Sequence, residues 1–226
     1  SLTHNMQRFF DILFSSIAIL ILSPLFLLVI LLLRFSGEGC IFFMQERIGF
    51  QKRSFKLYKF VTMLKNSENI GTGTVTLHND PRILPLGHFL RKSKINELPQ
   101  LFNVLLGHMS IIGPRPQTGR CFYAFPKSSQ KIIINVKPGL SGLGSIVFRD
   151  EEQIMKDHKN PDWFYDSVIM PYKGELEHWY VNNNSIVNYF LLIYFTIHAV
   201  IFPKSNKIYL IFKDLPKPPK DLIEKI

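Results

Sequence analysis

Residues 12–33 read ILFSSIAILILSPLFLLVILLL, ~22 positions without a charged side chain, which as a helix are long enough to cross a hydrocarbon core of about 30 Å. No other feature constrains the fold as strongly, because backbone groups placed in lipid must satisfy one another within a helix or a closed barrel. A membrane-inserted helix is predicted here. The run exceeds the roughly 7–15 apolar residues of a secretory leader, and no small-x-small cleavage site follows it. Ser23 and Pro24 stand at its middle, leaving ~11 residues on each side, or ~16 Å of helix, so that each half reaches only mid-bilayer. A helix that enters, breaks at Ser23-Pro24 and returns keeps Arg8 on the same face as Arg34, Arg47, Lys52 and Arg53, as the positive-inside rule favours. A kinked spanning helix would strand Arg8 on the far side. The re-entrant form is the expectation.

At 226 residues the chain has length for one ordinary domain with a core, plus this appendage. Its formal charge of +10 calls for an anionic partner without choosing among nucleic acid, phospholipid and a phosphorylated small molecule. The apolar segment and the lack of a recognition motif argue against nucleic acid. Cys40 and Cys121 have neither CxxC spacing nor a histidine cluster, so no disulfide framework or zinc site is indicated, and a reducing, cytosol-facing compartment fits.

Along the rest of the chain, residues 36–58 alternate short aromatic and β-branched runs with Gly and charge, which predicts one or two short strands. Residues 66–79 form a polar, Gly-rich loop with a short strand at 74–77. A helix is expected from about Asp80-Pro81 and another over 96–106, with Pro99 in its first turn and Gly107 as its stop. The rigid turn GPRP follows, then a helix over 118–125 and a KPGLSGLGS loop at 137–145. Residues 186–202 are helical and apolar, near the lower limit for a span; they fit an interfacial helix or a buried core helix. The lysine-bearing tail suits anionic headgroups or solvent. The expected fold is α/β and helix-rich: residues 1–35 a re-entrant membrane helix, residues 36–226 a small cytosol-facing catalytic domain with a C-terminal interfacial helix and a basic tail.

The middle third concentrates Lys59, Arg82, Arg91, Lys92, Lys94 and Arg115 as cations, with Asp80 and Glu97 as carboxylates and a helix N-terminus between them. Each alone reads as a solvated surface charge. Their clustering suits a phosphate: arginine forks bind its oxygens in pairs, and a hard Mg²⁺ takes one or two carboxylates plus substrate oxygens. Two prolines fix the backbone on either side of Arg115.

In order along the chain, DILFSSIAILILSPLFLLV, FFMQERIG, FKLYKF, NDPRILPLGHFLRKSKINELPQLFNVLLGHMSIIGPRP and KPGLSGLG resemble the successive motifs of bacterial sugar transferases, the monotopic phosphoglycosyl transferases that begin lipid-linked glycan assembly. The resemblance runs from residue 8 to about residue 145, with looser similarity in HWYVNNNSIVNYFLLIYFT. It implies transfer of a phosphosugar from a UDP-sugar to a polyprenol phosphate, with release of the nucleoside monophosphate. It further implies Mg²⁺ as cofactor, a re-entrant helix broken at Ser23 and Pro24, and a bacterial cytoplasmic membrane with the catalytic domain on the cytosolic side. The family's Asp-Glu pair, nucleophile and metal ligand, falls on Asn96 and Glu97. Its arginine five residues before the Asp falls on Arg91, and the Pro-Arg-Pro motif that holds the nucleotide end falls on Pro114, Arg115 and Pro116. Lys59 and Arg82 join the expected phosphate-binding set. A homodimer is compatible with this reading and is set by nothing in the sequence.

The departures are as informative as the matches. An amide stands where the resemblance places the nucleophilic aspartate, Val61 replaces an arginine and His108 replaces an acid. A carboxamide is a poor nucleophile toward phosphorus. Glu97 is then left as nucleophile or as base for the acceptor, with Asp150, Glu151 or Glu152 taking the metal. Alternatively the chain is a catalytically impaired, membrane-tethered protein that binds a nucleotide sugar or lipid phosphate, or Asn96 is an introduced change. In the Glu97 route Asn96 would serve as a helix cap.

Overall fold

The computed structural model describes residues 2–67, 80–156, 158–202, 207–223 and 226, and of residues 152, 153 and 156 the backbone alone. Helix α1 (Leu2–Arg34) takes up the whole apolar run, and among the described residues it is the one helix long and apolar enough to cross a membrane. Its buried residues Gln7, Asp11, Ser15, Phe26, Val29 and Leu33 recur at helical spacing and make one stripe toward the rest of the protein. The other faces leave Leu20 and Ile21 70% or more exposed, with Leu27, Leu28, Leu31 and Leu32 also open. An apolar surface this continuous is suited to lipid rather than to water. Pro24 lies inside the helix and has no N–H for the carbonyl of Leu20; the Ser23 hydroxyl donates to that carbonyl instead, at 2.8 Å.

Both halves of α1 are tied to the domain. Asp11 Oδ1 accepts from Tyr189 Oη (2.8 Å), the Ile111 amide (2.9 Å) and Ser110 Oγ (3.0 Å), while Gln7 Nε2 donates to Ser110 Oγ and to the Ile112 carbonyl. These buried groups satisfy one another, which is what allows polar residues on the inward stripe. Further along, Phe26 packs against Phe60 and Phe102, with ring centroids 5.6 Å apart in each case.

Strands β1 (Phe42–Ile48) and β2 (Ser54–Phe60) form an antiparallel hairpin paired from Phe42↔Phe60 to Ile48↔Ser54. Directly paired residues share a face, so Phe43 with Lys59 and Arg47 with Phe55 lie on one side of the hairpin. After residues 68–79, where the expected strand at 74–77 lies outside the described residues, α2 (Pro85–Lys92) leads through a 3-10 turn (Ile95–Glu97) into α3 (Gln100–Leu106). The helix expected from Asp80-Pro81 thus begins later, at Pro85, which fits the first turn because its missing N–H would have no partner there. Gly107 does stop α3, in the left-handed conformation at φ 87.

A parallel pair, β3 (Ser110–Ile112) and β4 (Gly139–Ser141), is joined by the crossover through α4 (Gly119–Ala124) and α5 (Lys127–Ile133). The expected helix over 118–125 is present as α4, with Thr118 as its cap. The 137–145 segment, expected as a loop, instead supplies β4 and the start of α6 (Leu143–Val147), because Gly139 and Gly142 let it lie against Gly113. A Cβ on Gly139 would stand 2.1 Å from the Gly113 nitrogen. Next come α7 (Glu151–Lys156), α8 (Pro161–Phe164), a π-helical turn (Tyr165–Ile169), α9 (Met170–Asn182) and α10 (Ile186–Ile201), with short α11 (Ile208–Ile211) and α12 (Lys220–Ile223). The main core gathers Leu143, Phe164, Tyr172, Leu176, Tyr189 and Leu192. Residues 186–201 form α10, which packs one face into the core, with Tyr189, Leu192, Phe195 and His198 buried, and leaves Val187, Tyr194, Ile197 and Val200 exposed.

Candidate active site

The site begins with the left-handed residue Lys94 (φ 61, ψ 9), which turns the chain sharply out of α2 so that the next three residues form the 3-10 turn. A non-glycine residue held there stores strain of about 1 kcal/mol or more, a common price of functional placement. The turn presents Asn96 and Glu97 next to the end of β2. What fixes β2 there is Asn103 on α3, fully buried: its Oδ1 accepts from the Tyr58 amide at 2.9 Å and its Nδ2 donates to the Lys56 carbonyl at 2.8 Å. The side-chain amide thereby pairs with the open edge of the strand and brings Lys59 over Glu97.

Lys59 Nζ and Arg115 Nη2 stand 3.3 and 3.4 Å from the same oxygen, Glu97 Oε1. Burial pushes the Glu97 carboxyl up, but Arg115, Lys59 and Lys94 outweigh it and hold the group down at about 2. Burial lowers the Lys59 amine to about 8 despite Glu97, with Arg115 and Arg47 adding repulsion. Glu97 is therefore ionised at any ordinary pH, and Oε2 takes no hydrogen bond from a described residue. Asn96 is buried, and its Oδ1 has no hydrogen-bond partner among the described residues. The cap role that the Glu97 route would give Asn96 is not seen: neither the 3-10 turn nor α3 has a side-chain cap bond, and the Asn96 oxygen accepts from no described amide.

Arg115 reaches Glu97 because the Pro114–Pro116 segment is braced on both sides. The Pro114 carbonyl accepts from the Gly139 amide at 2.8 Å, and the Pro116 carbonyl accepts from Arg47 Nη1 at 3.1 Å. Arg91 lies in the last turn of α2, half-buried, and its guanidinium makes no hydrogen bond or ion pair with a described residue. Arg82 is buried and grips Asp80 through Nε at 2.8 Å and Nη2 at 2.5 Å, with Nη1 on the Ser67 carbonyl. Glu151 is paired with Lys173, whose ammonium also lies over the Phe148 ring. Val61 is buried in place of a charged group, and His108 stacks on Phe55. Sequence reading brought out neither Asn103 nor Arg47 as part of the site. An amide inside the apolar run LFNVLL was the signal for the first, and the alternation Gln45, Arg47 along a strand was the signal for the second.

For magnesium, the described residues contain no group of three or more His, Cys, Asp or Glu side chains. A metal that works on phosphates needs only one or two carboxylates, because substrate oxygens and water complete its shell. An ionised Glu97 and the unbonded oxygen of Asn96 are hard ligands of that kind, so these residues fit the ion.

The sequence pattern of the family described as bacterial sugar transferase matches residues 2–203. The chain is 32% identical over 214 residues to the exopolysaccharide production protein ExoY of Sinorhizobium fredii, covering 88% of this chain and 87% of that protein. It is 37% identical over 159 residues to the protein of the same name from Rhizobium meliloti, covering 64% of this chain and 70% of that one. The UDP-glucose:undecaprenyl-phosphate glucose-1-phosphate transferase of Escherichia coli is 35% identical over 143 residues, which are 62% of this chain and 31% of that longer protein.

Proposed function

The chain belongs to the bacterial sugar transferases, and from that premise we propose that it moves a phosphosugar from a UDP-sugar to a polyprenol phosphate at a membrane surface, releasing UMP and starting a lipid-linked glycan. One observation carries the reading: Lys59 and Arg115 converge on a single carboxylate, Glu97, leaving a surplus of positive charge where a diphosphate would fit. The name of the E. coli relative supports the classes of donor and acceptor.

The groups present favour direct transfer. A polyprenol phosphate is largely dianionic at neutral pH, its second pKa lying near ~6, so its oxygen needs no base. Glu97, held at about 2, is a poor base, and its Oε1 is already shared by two cations. Asn96 has no anionic oxygen to attack with. In the step, an acceptor phosphate oxygen bonds to the β-phosphorus of the donor as the bond from that phosphorus to the bridging oxygen breaks, and the electron pair departs on UMP. Arg115 and Lys59 stabilise charge on the donor's phosphates, and Arg91, at the end of α2, offers a further guanidinium. Glu97 and Asn96 are the residues that would hold magnesium, and the ion would supply charge neutralisation at phosphate oxygens.

We read residues 1–35 as inserted re-entrantly in the bacterial cytoplasmic membrane and residues 36–226 as facing the cytosol. Support comes from two contacts of α1 with α3. Arg8 donates to the Val104 and Leu105 carbonyls at 2.6 and 2.7 Å, and the Phe26 ring meets Phe102. Both halves of α1 therefore rest on the same short helix, and Pro24 between them removes one backbone hydrogen bond, the kind of position at which a re-entrant helix can turn. The reaction is tested by incubating the protein in nanodiscs with labelled UDP-sugars and polyprenol phosphate, then extracting lipid: label in the lipid phase is expected, and none with any sugar would overturn the reading.

A further inference from the structure

Arg47 is a third cation of this site, and it has no anion of its own. The β1–β2 register places it on the same face of the hairpin as Lys59. Its Nη1 donates to the Pro116 carbonyl at 3.1 Å and its Nη2 to Gln45 Oε1 at 2.5 Å, both neutral acceptors, while Nε is buried without a partner. Among the described residues no carboxylate lies within ion-pair distance of the guanidinium. Burial and the charge of Arg115 work against its protonated form and outweigh the more distant Glu97, whose carboxylate is already held by Lys59 and Arg115. Burying a charge without a counter-charge is unfavourable, and sequences retain such a group where something else compensates it.

We infer that Arg47 is a positioning residue for the anionic donor. Its charge attracts and orients the diphosphate, and its Nη1 contact props the Pro114–Pro116 turn so that Arg115 meets the same ligand. The inference rests on the proposed reaction, which supplies the diphosphate. It sets the hairpin beside α2, the 3-10 turn and the GPRP turn as a fourth wall of the site, and it explains why a strand at the surface carries an inward arginine next to Gln45.

Binding of UDP to the full chain in detergent micelles, measured by calorimetry across a salt series, tests this. Arg47→Gln keeps a donor for Pro116 and removes the charge; Arg47→Lys keeps the charge and removes the fork. The expectation is a loss of about tenfold or more in affinity for Arg47→Gln with a shallower dependence on salt, and a loss of less than about fivefold for Arg47→Lys. Without UDP, Arg47→Gln should melt at or above the wild-type temperature, since an uncompensated charge has gone. Three results would overturn the inference: an Arg47→Gln loss below tenfold, an Arg47→Lys loss as large as that of Arg47→Gln, or an Arg47→Gln protein that melts lower or does not fold. A wild-type chain that binds no UDP would instead strike the proposed reaction itself.

Discussion

Arg115 Nη2 lies 3.4 Å from Glu97 Oε1, the same oxygen that Lys59 reaches, although the three residues come from a turn, a 3-10 helix and a strand. The contact sits at the mouth of the site, where Arg115 is 46% exposed and Glu97 21%. A guanidinium so placed can exchange its partial hold on Glu97 for a phosphate.

Removing it should therefore weaken the reaction more than the fold. Arg115→Ala is expected to cost roughly 1.5–3 kcal/mol, or about 10- to 150-fold in UDP-sugar affinity or turnover, with little change in melting temperature. Unchanged kinetics would make GPRP a structural turn only.

Glu97→Gln should abolish transfer. It takes the one anion from between Lys59 and Arg115 and removes the carboxylate proposed for the metal. Isothermal titration of Mg²⁺ in the presence of UDP checks the second effect separately, and coupled binding should be lost.

Asn96 separates two kinds of chemistry. With its Oδ1 unbonded, Asn96→Ala should leave stability within about 0.5 kcal/mol, where loss of a true cap would cost about 1 kcal/mol. Asn96→Asp supplies an anionic oxygen near Lys59, Lys94 and Arg115, and mass spectrometry after incubation with UDP-sugar alone should find a phosphosugar adduct on that aspartate. An adduct on wild-type Glu97 would contradict direct transfer.

A fourth expectation concerns stability away from the site. Glu177, fully buried on α9, accepts from the Gly144 amide at 3.2 Å, and burial raises its carboxyl to about 7 against the effect of Lys173. Between pH 4.5 and about 7 the unfolded chain releases a proton that the folded chain keeps, so stability falls as pH rises through that window. The loss is on the order of 3 kcal/mol. Glu177→Gln should flatten this slope in denaturation curves and stabilise the protein most above pH 7. An unaltered slope would place the titration on another group.

The topology can be probed with a cysteine at position 3. Labelling by an impermeant reagent from outside intact cells should fail, because the re-entrant reading keeps both flanks of α1 in the cytosol. Successful labelling would mean that α1 spans.

Much of this was legible in the sequence because it depended on local rules. The apolar run gave α1, Gly107 gave the end of α3, the stretch after GPRP gave α4, and the cations around Glu97 pointed to phosphate. What escaped depended on contacts distant in sequence. Nothing local says that Asn103 will clip the edge of β2 or that Glu151 will be taken by Lys173. The burial of Asn96 escaped for a different reason: it follows the left-handed Lys94, and a side chain in a cap position and one in a buried position read alike in one dimension.

The most direct test of direct transfer is UMP release by wild type in nanodiscs with Mg²⁺, measured with and without polyprenol phosphate over a panel of UDP-sugars. UMP should appear in proportion to lipid-linked sugar only when the acceptor is present. A stoichiometric burst of UMP without acceptor would contradict the direct route, and no UMP with any sugar would contradict the transferase account itself.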